Sequence, residues 1–265
     1  MAENSAIEWT HHTFNPWWGC TKISPACDNC YAATWARRFR RAEWGPDAAR
    51  VPASEERWKE PLKWNRDAQA RGERARVFCL SMGDVFEKRS ELDPLRTRLC
   101  KLIEDTPSLD WQLLTKRPGN VLGMVPWSQV WPSNVWIGTT VEDQKWAARR
   151  LPLLIEIPAI VRFVSCEPLL EAIDLTDWLA RDVAKRGVDW VIAGGESGAA
   201  TRPTALSWVQ SLRDQCTEAA VPFFFKQWGS WWPKNEDTFV KLGKKLSGRH
   251  LDKRTWDEFP RKPPG

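Results

Sequence analysis

The stretch Val161-Arg162-Phe163-Val164-Ser165-Cys166-Glu167-Pro168 sets a β-type run directly against a polar end that proline stops. β-branched and aromatic residues favour the pleated, half-buried backbone of a strand, and proline cannot continue a central one. The same arrangement recurs along the chain. Comparable runs are Val77-Phe78-Cys79-Leu80, Trp111-Gln112-Leu113-Leu114, Val135-Trp136-Ile137, Trp190-Val191-Ile192-Ala193 and Val221-Pro222-Phe223-Phe224-Phe225. From the second run onward they return every 24 to 31 residues, which fits one strand, one loop and one helix, the unit of a parallel sheet. A further strand, first in chain order, is expected near Thr13–Trp17.

The intervening segments read as helices. Residues 94–103 carry Leu95, Leu99 and Ile103 at helical spacing, and Asp93-Pro94 ahead of them resembles an N-cap followed by proline at the first helical position. Thr204–Ala219 carries Leu206, Val209, Leu212 and Cys216 at similar intervals. Parallel strands joined by helices cross over right-handedly, so such a sheet closes or winds in one sense. Residues 231–265 are rich in Lys, Pro and Gly and read as a basic, surface-draped tail behind a core of residues 1–230.

Each run ends in a polar or small cluster: Ser81-Met82-Gly83-Asp84, Thr115-Lys116-Arg117-Pro118, Gly138-Thr139-Thr140-Val141-Glu142, Ser165-Cys166-Glu167-Pro168, Gly194-Gly195-Glu196-Ser197-Gly198 and Lys226-Gln227-Trp228. In β/α barrels the active site is built from the loops at the carboxyl ends of the strands. So many polar groups converging there point to an enzyme rather than a structural protein.

Composition bounds the setting. The 265 residues are 42% hydrophobic, enough for one large core or two small ones. No apolar run is long enough to span a membrane, and the N-terminal residues lack the basic segment and apolar core of a secretory signal. A cytoplasmic protein, monomeric and off the membrane, is expected. The net charge of +5 favours an anionic partner, and 19 Trp beside a single Tyr offer broad faces for stacking on bases, unless they reflect compositional drift.

Seven cysteines, an odd number unevenly distributed, argue against a disulfide framework. Cys79, Cys100, Cys166 and Cys216 are scattered through apolar or helical contexts. Cys20, Cys27 and Cys30 instead share the loop Gly19-Cys20-Thr21-Lys22-Ile23-Ser24-Pro25-Ala26-Cys27-Asp28-Asn29-Cys30-Tyr31, spaced C-x6-C-x2-C. Three thiolates leave a tetrahedral zinc site one ligand short, although His11 or His12 could supply the fourth. Three cysteines also suit a [4Fe-4S] cluster whose fourth iron stays open for a substrate or cosubstrate.

With these residues in view the chain resembles the radical S-adenosylmethionine superfamily, although that superfamily's usual spacing is C-x3-C-x2-C with an aromatic before the last cysteine, where this chain has Asn29. It is more closely similar to the phage-type three-Cys-motif family. The similar elements are Ile7-Glu8-Trp9-Thr10, Asn15-Pro16, Gly19-Cys20-Thr21-Lys22, Cys27-Asp28-Asn29-Cys30-Tyr31-Ala32 and the first five strand-end clusters quoted above, from Ser81 to Gly198, over roughly residues 5–230. The resemblance implies an α/β fold, a partial (β/α)6-type parallel barrel with a C-terminal extension. It also implies a [4Fe-4S] cluster on Cys20, Cys27 and Cys30, S-adenosylmethionine as cosubstrate, and a reductase or flavodoxin-type electron donor.

Candidate cosubstrate contacts follow by position. Ser81, Gly83 and Asp84 occupy the loop where the superfamily holds the methionine amino group, with Asp84 the expected partner. Thr139, Thr140, Glu142, Ser165, Glu167, Gly194, Gly195 and Glu196 stand at later strand ends; turn chemistry is the alternative for each. Cys166 is a candidate hydrogen donor, or a small buried hydrophobe.

Arg37, Arg38, Arg40 and Arg41, with Lys116, Arg117, Lys226 and Trp228 at strand ends, could neutralise phosphates and stack on bases; a solvated face with core tryptophans is the alternative. DNA or RNA is therefore the expected partner and a nucleic-acid base the expected substrate, extruded if it starts in a duplex. Superfamily members include lyases that reverse thymine photoproducts and enzymes that modify RNA bases. A small metabolite or peptide as substrate, and a non-catalytic zinc protein that binds nucleic acid, remain alternatives.

Overall fold

The computed structural model describes residues 3–127, 130–179, 186–198 and 200–260. It is an α/β protein. The strands are β1 (His12–Thr13), β2 (Trp17–Trp18), β3 (Val51–Pro52), β4 (Ala75–Cys79), β5 (Leu109–Thr115), β6 (Val135–Thr140), β7 (Val161–Cys166), β8 (Trp190–Gly194), β9 (Phe223–Gln227), β10 (Trp231–Pro233) and β11 (Phe239–Lys241). The helices are α1 (Tyr31–Arg38), α2 (Glu55–Arg71), α3 (Asp93–Glu104), α4 (Gln144–Ile155), α5 (Leu206–Glu218) and the short α6 (Lys244–Ser247). Seven strands form one sheet in the order β1-β4-β5-β6-β7-β8-β9, so every neighbour follows in chain order, as the spacing of the apolar runs predicts.

The chain divides into two compact units. The first comprises residues 1–23, 32–138 and 157–160; the second comprises 24–31, 139–156 and 161–265.

In the first unit β1, β4 and β5 pair in parallel, with His12 opposite Val77 and Val77 opposite Trp111. The strand expected at Thr13–Trp17 splits in two. His12 and Thr13 join the sheet, whereas Trp17 and Trp18 pair antiparallel with Val51 and Pro52 in a separate ribbon. Helix α2 buries Trp58, Pro61, Trp64 and Ala68 along one face and stops at Gly72, whose φ of 65° supplies the left-handed C-cap. Asp93 is the first residue of α3 rather than its N-cap, which is Leu92; its carboxylate instead pairs with Arg96.

In the second unit β7, β8 and β9 pair in parallel, with Val164 opposite Val191 and Val191 opposite Phe223. Helix α5 turns Val209, Leu212 and Cys216 inward, as its periodicity predicts. The C-terminal stretch packs closely: Phe225 N donates to Trp256 O, Glu258 N donates to Phe223 O, and Leu251 is fully buried. It thereby covers part of the β9 edge, which would otherwise leave backbone groups open to pairing. Residues 261–265 of the expected tail lie outside the described part.

Nine of the 19 tryptophans belong to the core. Trp9, Trp17, Trp58, Trp64, Trp111, Trp127, Trp136, Trp190 and Trp228 are all buried. Among the described residues no helix is long and apolar enough to cross a membrane.

Candidate functional site

In the first unit the carboxyl ends of β4 and β5 are organised by Asp84. Its Oδ1 accepts from Phe86 N at 3.0 Å and Thr115 Oγ1 at 2.6 Å; its Oδ2 accepts from Lys116 N at 3.1 Å and Arg117 Nη1 at 2.7 Å. A carboxylate has about four lone-pair directions. Within the protein, four donors take up those directions at Asp84, the residue expected to meet the methionine amino group. Its neighbour Ser81 bonds Asn15, whose Oδ1 also accepts from Met82 N at 2.8 Å.

This network carries Cys20. Gly19 N donates to Met82 O at 3.0 Å, which fixes the residue just before the thiol. At Gly83 a Cβ would stand 3.0 Å from Gly19 O, so this close approach of the two loops favours glycine. Arg117 donates to Thr21 O at 2.8 Å and approaches Cys20 Sγ at 3.9 Å. Burial pushes the Cys20 thiol up to about 12, with the Asp84 charge acting in the same direction and Arg117 opposing it. Behind Arg117, Arg50 grips both oxygens of Glu87 at 2.8 and 2.7 Å and also donates to Thr21 Oγ1. Burial alone would raise the Glu87 carboxyl, but the hydrogen bonds from Arg50 and Thr21 prevail and hold it low.

In the second unit the strand-end carboxylates grip the segment that bears Cys27 and Cys30. Glu142, fully buried beyond β6, accepts from Ala26 N at 3.2 Å and from Arg150 Nη1 at 2.9 Å. Glu196, beyond β8, accepts from Asn29 Nδ2 at 3.0 Å and from Arg202, whose Nη2 also donates to Pro25 O at 2.9 Å. Burial works to raise Glu196; the Arg202 hydrogen bonds outweigh it and leave the carboxyl below its ordinary value. Glu142 and Glu196, expected as cosubstrate contacts, here serve as anchors of the cysteine loop.

The other predicted contacts separate. Thr139, Thr140 and Ser165 lie inside strands and are buried, and Gly194 ends β8. Gly195 packs so closely on Trp228 that a Cβ would stand 2.0 Å from Trp228 O, so it serves backbone packing. Glu167 pairs with Lys226 at 2.6 Å and keeps some solvent access. Cys166 is fully buried, and burial pushes its thiol well up.

Of the residues expected to meet nucleic acid, Arg37, Arg38, Arg40 and Arg41 are exposed. Arg117 and Lys226 are instead committed to Asp84 and Glu167. Trp228 is 2% exposed and donates its indole N–H to His250 O, so it offers no face to a base. Lys116 lends its backbone amide to Asp84. Arg50, Glu87 and Asn29 escaped sequence reasoning because their partners lie far along the chain.

The seven thiols are all free; Cys20, Cys27 and Cys30 are half-buried, whereas Cys79, Cys100, Cys166 and Cys216 are buried. Thiols in this number and state are the donor chemistry that an iron-sulfur cluster takes. As placed, no three His, Cys, Asp or Glu side chains among the described residues form a group that could hold a metal ion. The two candidate zinc histidines have other commitments: His12 stacks on Trp64 at 4.5 Å, and His11 Nδ1 accepts from Arg76 N at 2.8 Å.

Among curated proteins none matches the chain. The solved structure of a spore photoproduct lyase point variant is similar to it, with a TM-score of 0.48 and 10% identity, covering 82% of this chain and 76% of that one. A family described as "Protein of unknown function (DUF5131)" matches residues 4–260, and the chain belongs to that family.

Proposed function

We propose that the chain is a radical S-adenosylmethionine enzyme acting on a nucleic-acid base, with Cys20, Cys27 and Cys30 as ligands of a [4Fe-4S] cluster. One observation carries this reading. Of seven free cysteines, the three spaced C-x6-C-x2-C are those left accessible, while the other four are buried as core thiols. Such a cluster supplies the electron that cleaves S-adenosylmethionine reductively, and an external reductase or flavodoxin-type protein would recharge it.

The chain's own residues hold and orient. Glu142 and Arg202 tether the backbone ahead of Cys27, at Ala26 and Pro25, and Glu196 holds the Asn29 side chain ahead of Cys30. Arg117 and Met82 tether the backbone beside Cys20. The Glu167–Lys226 pair, still partly open, is the strand-end pair best able to turn toward a polar ligand. Ser81 and the glycines offer backbone approach without bulk.

The test is anaerobic reconstitution with iron and sulfide, followed by reductant and S-adenosylmethionine, with 5′-deoxyadenosine as the readout in the presence and absence of DNA or RNA oligonucleotides. A brown protein is expected whose product yield rises with one nucleic acid and vanishes in Cys20→Ala, Cys27→Ala or Cys30→Ala. A colourless protein that takes up one zinc and no iron would overturn the cluster. Product formation indifferent to both nucleic acids would move the substrate to a small molecule or peptide.

A further inference from the structure

Helix α1 buries Ala32, Ala33 and Ala36 and turns larger side chains outward. Trp35 on that face is 40% exposed and Phe39 just beyond it is 51% exposed. Their rings lie 4.5 Å apart between centroids, and Trp18 of the β2 ribbon extends the row at 5.1 Å from Trp35. Helical geometry sets this row: Phe39 N donates to Trp35 O at 3.1 Å, which places the two rings one turn apart on the same face. Just beyond, Arg41 N donates to Ala36 O at 2.9 Å and Arg40 adopts a φ of 49°, which ends the helix.

Arginines frame the row. Between Tyr31 and Ala42 the chain carries Arg37, Arg38, Arg40 and Arg41 and no acidic residue; the next carboxylate in sequence is the exposed Glu43. All four arginines are exposed, and among the described residues none is in an ion pair. Arg38 leans over the Phe39 ring at 5.7 Å. Burying aromatic area would stabilise the fold, so leaving two large rings exposed beside unpaired cations suits a ligand that brings both flat faces and negative charge.

We infer that the Trp18–Trp35–Phe39 row and its four arginines form a binding surface for single-stranded nucleic acid, with bases stacking on the rings and phosphates meeting the guanidinium groups. Stacking of this kind tolerates any base, because every base has a π-face. The inference rests on the proposed nucleic-acid substrate for its purpose and names the surface that takes the strand.

The test uses the full chain without S-adenosylmethionine, titrated into fluorescently labelled oligothymidine and oligouridine at about 50 and 200 mM salt. Binding to at least one strand is expected, weaker at the higher salt. Trp35→Ala combined with Phe39→Ala should weaken it about tenfold or more. Arg40→Glu with Arg41→Glu should weaken it and flatten its salt dependence. All four positions are exposed, and a thermal melt equal to that of the parent chain confirms that each variant folds. Unchanged binding in both double variants would overturn the assignment. So would equal affinity for a duplex of the same length, or binding to anionic vesicles with none to oligonucleotides. Because binding is read without S-adenosylmethionine, strand binding that leaves 5′-deoxyadenosine yield unmoved sinks the proposed substrate and spares the surface.

Discussion

Arg202 holds Glu196 through both carboxylate oxygens, with Nη2 at 2.6 Å from Oε1 and Nε at 3.2 Å from Oε2. The same guanidinium reaches Pro25 O, so a strand-end acid, its cation and the loop bearing Cys27 are a single unit. Arg202→Ala leaves the buried Glu196 without its main partner. Because Arg202 is about one-third exposed, the cost is set at the lower end for a broken buried pair, about 1–3 kcal/mol. The expected outcome is a lower melting temperature together with reduced iron retention after reconstitution. A variant with the parent's melt and iron content would show that this anchor does not hold the loop.

Asp84→Asn replaces one acceptor oxygen with an amide donor, and each side of Asp84 already faces two donors. Whichever way the new side chain turns, its NH2 faces a backbone N–H, and Arg117 loses the negative charge of its partner. A loss of about 2–4 kcal/mol is expected, read as a lower urea midpoint at unchanged slope.

Gly195 and Gly194 are adjacent glycines with opposite tolerances. A Cβ at Gly195 would stand 2.0 Å from Trp228 O and 2.6 Å from Trp228 C, backbone atoms that no rotamer change can move. At Gly194 the nearest atom is Glu167 Cδ at 3.4 Å, close to ordinary contact. Gly195→Ala should cost at least about 3 kcal/mol, and Gly194→Ala less than about 1 kcal/mol. Comparable urea midpoints for the two variants would contradict this packing.

His12 links stability to pH. Burial first, and the neighbouring His11 charge second, lower it from an ordinary 6.5 to about 4. Between those values the unfolded chain takes up a proton that the folded chain refuses. This contribution is therefore complete above about pH 6.5 and declines as pH falls toward 4. His12→Phe retains a ring to stack on Trp64 and removes the titration. Urea midpoints measured across this window should fall less steeply for the variant than for the parent; parallel slopes would refute the assignment.

Much of the scaffold was legible before any coordinates. The runs at Val135, Val161 and Trp190 each became a strand of the sheet, and the spacing of Val209, Leu212 and Cys216 became the buried face of α5. Such signals are local, because strand and helix periodicity is written within five to fifteen residues or so. Thr13–Trp17 misled for the same reason. Two consecutive short strands look like one when the choice of partner, β4 for one and β3 for the other, is not local.

The alternation of elements, the polar strand ends and the three clustered thiols belong to the order of residues, since each depends on neighbours along the chain. What each strand-end group does was settled by folding. Asn29 meets Glu196 across 167 positions and Arg117 meets Asp84 across 33, partners that no local pattern announces. Packing likewise enclosed Trp228 and left Trp35 exposed, although both are the same residue type. Burial and hydrogen-bond pairing are properties of the filled volume around a side chain, and distant segments supply most of that volume.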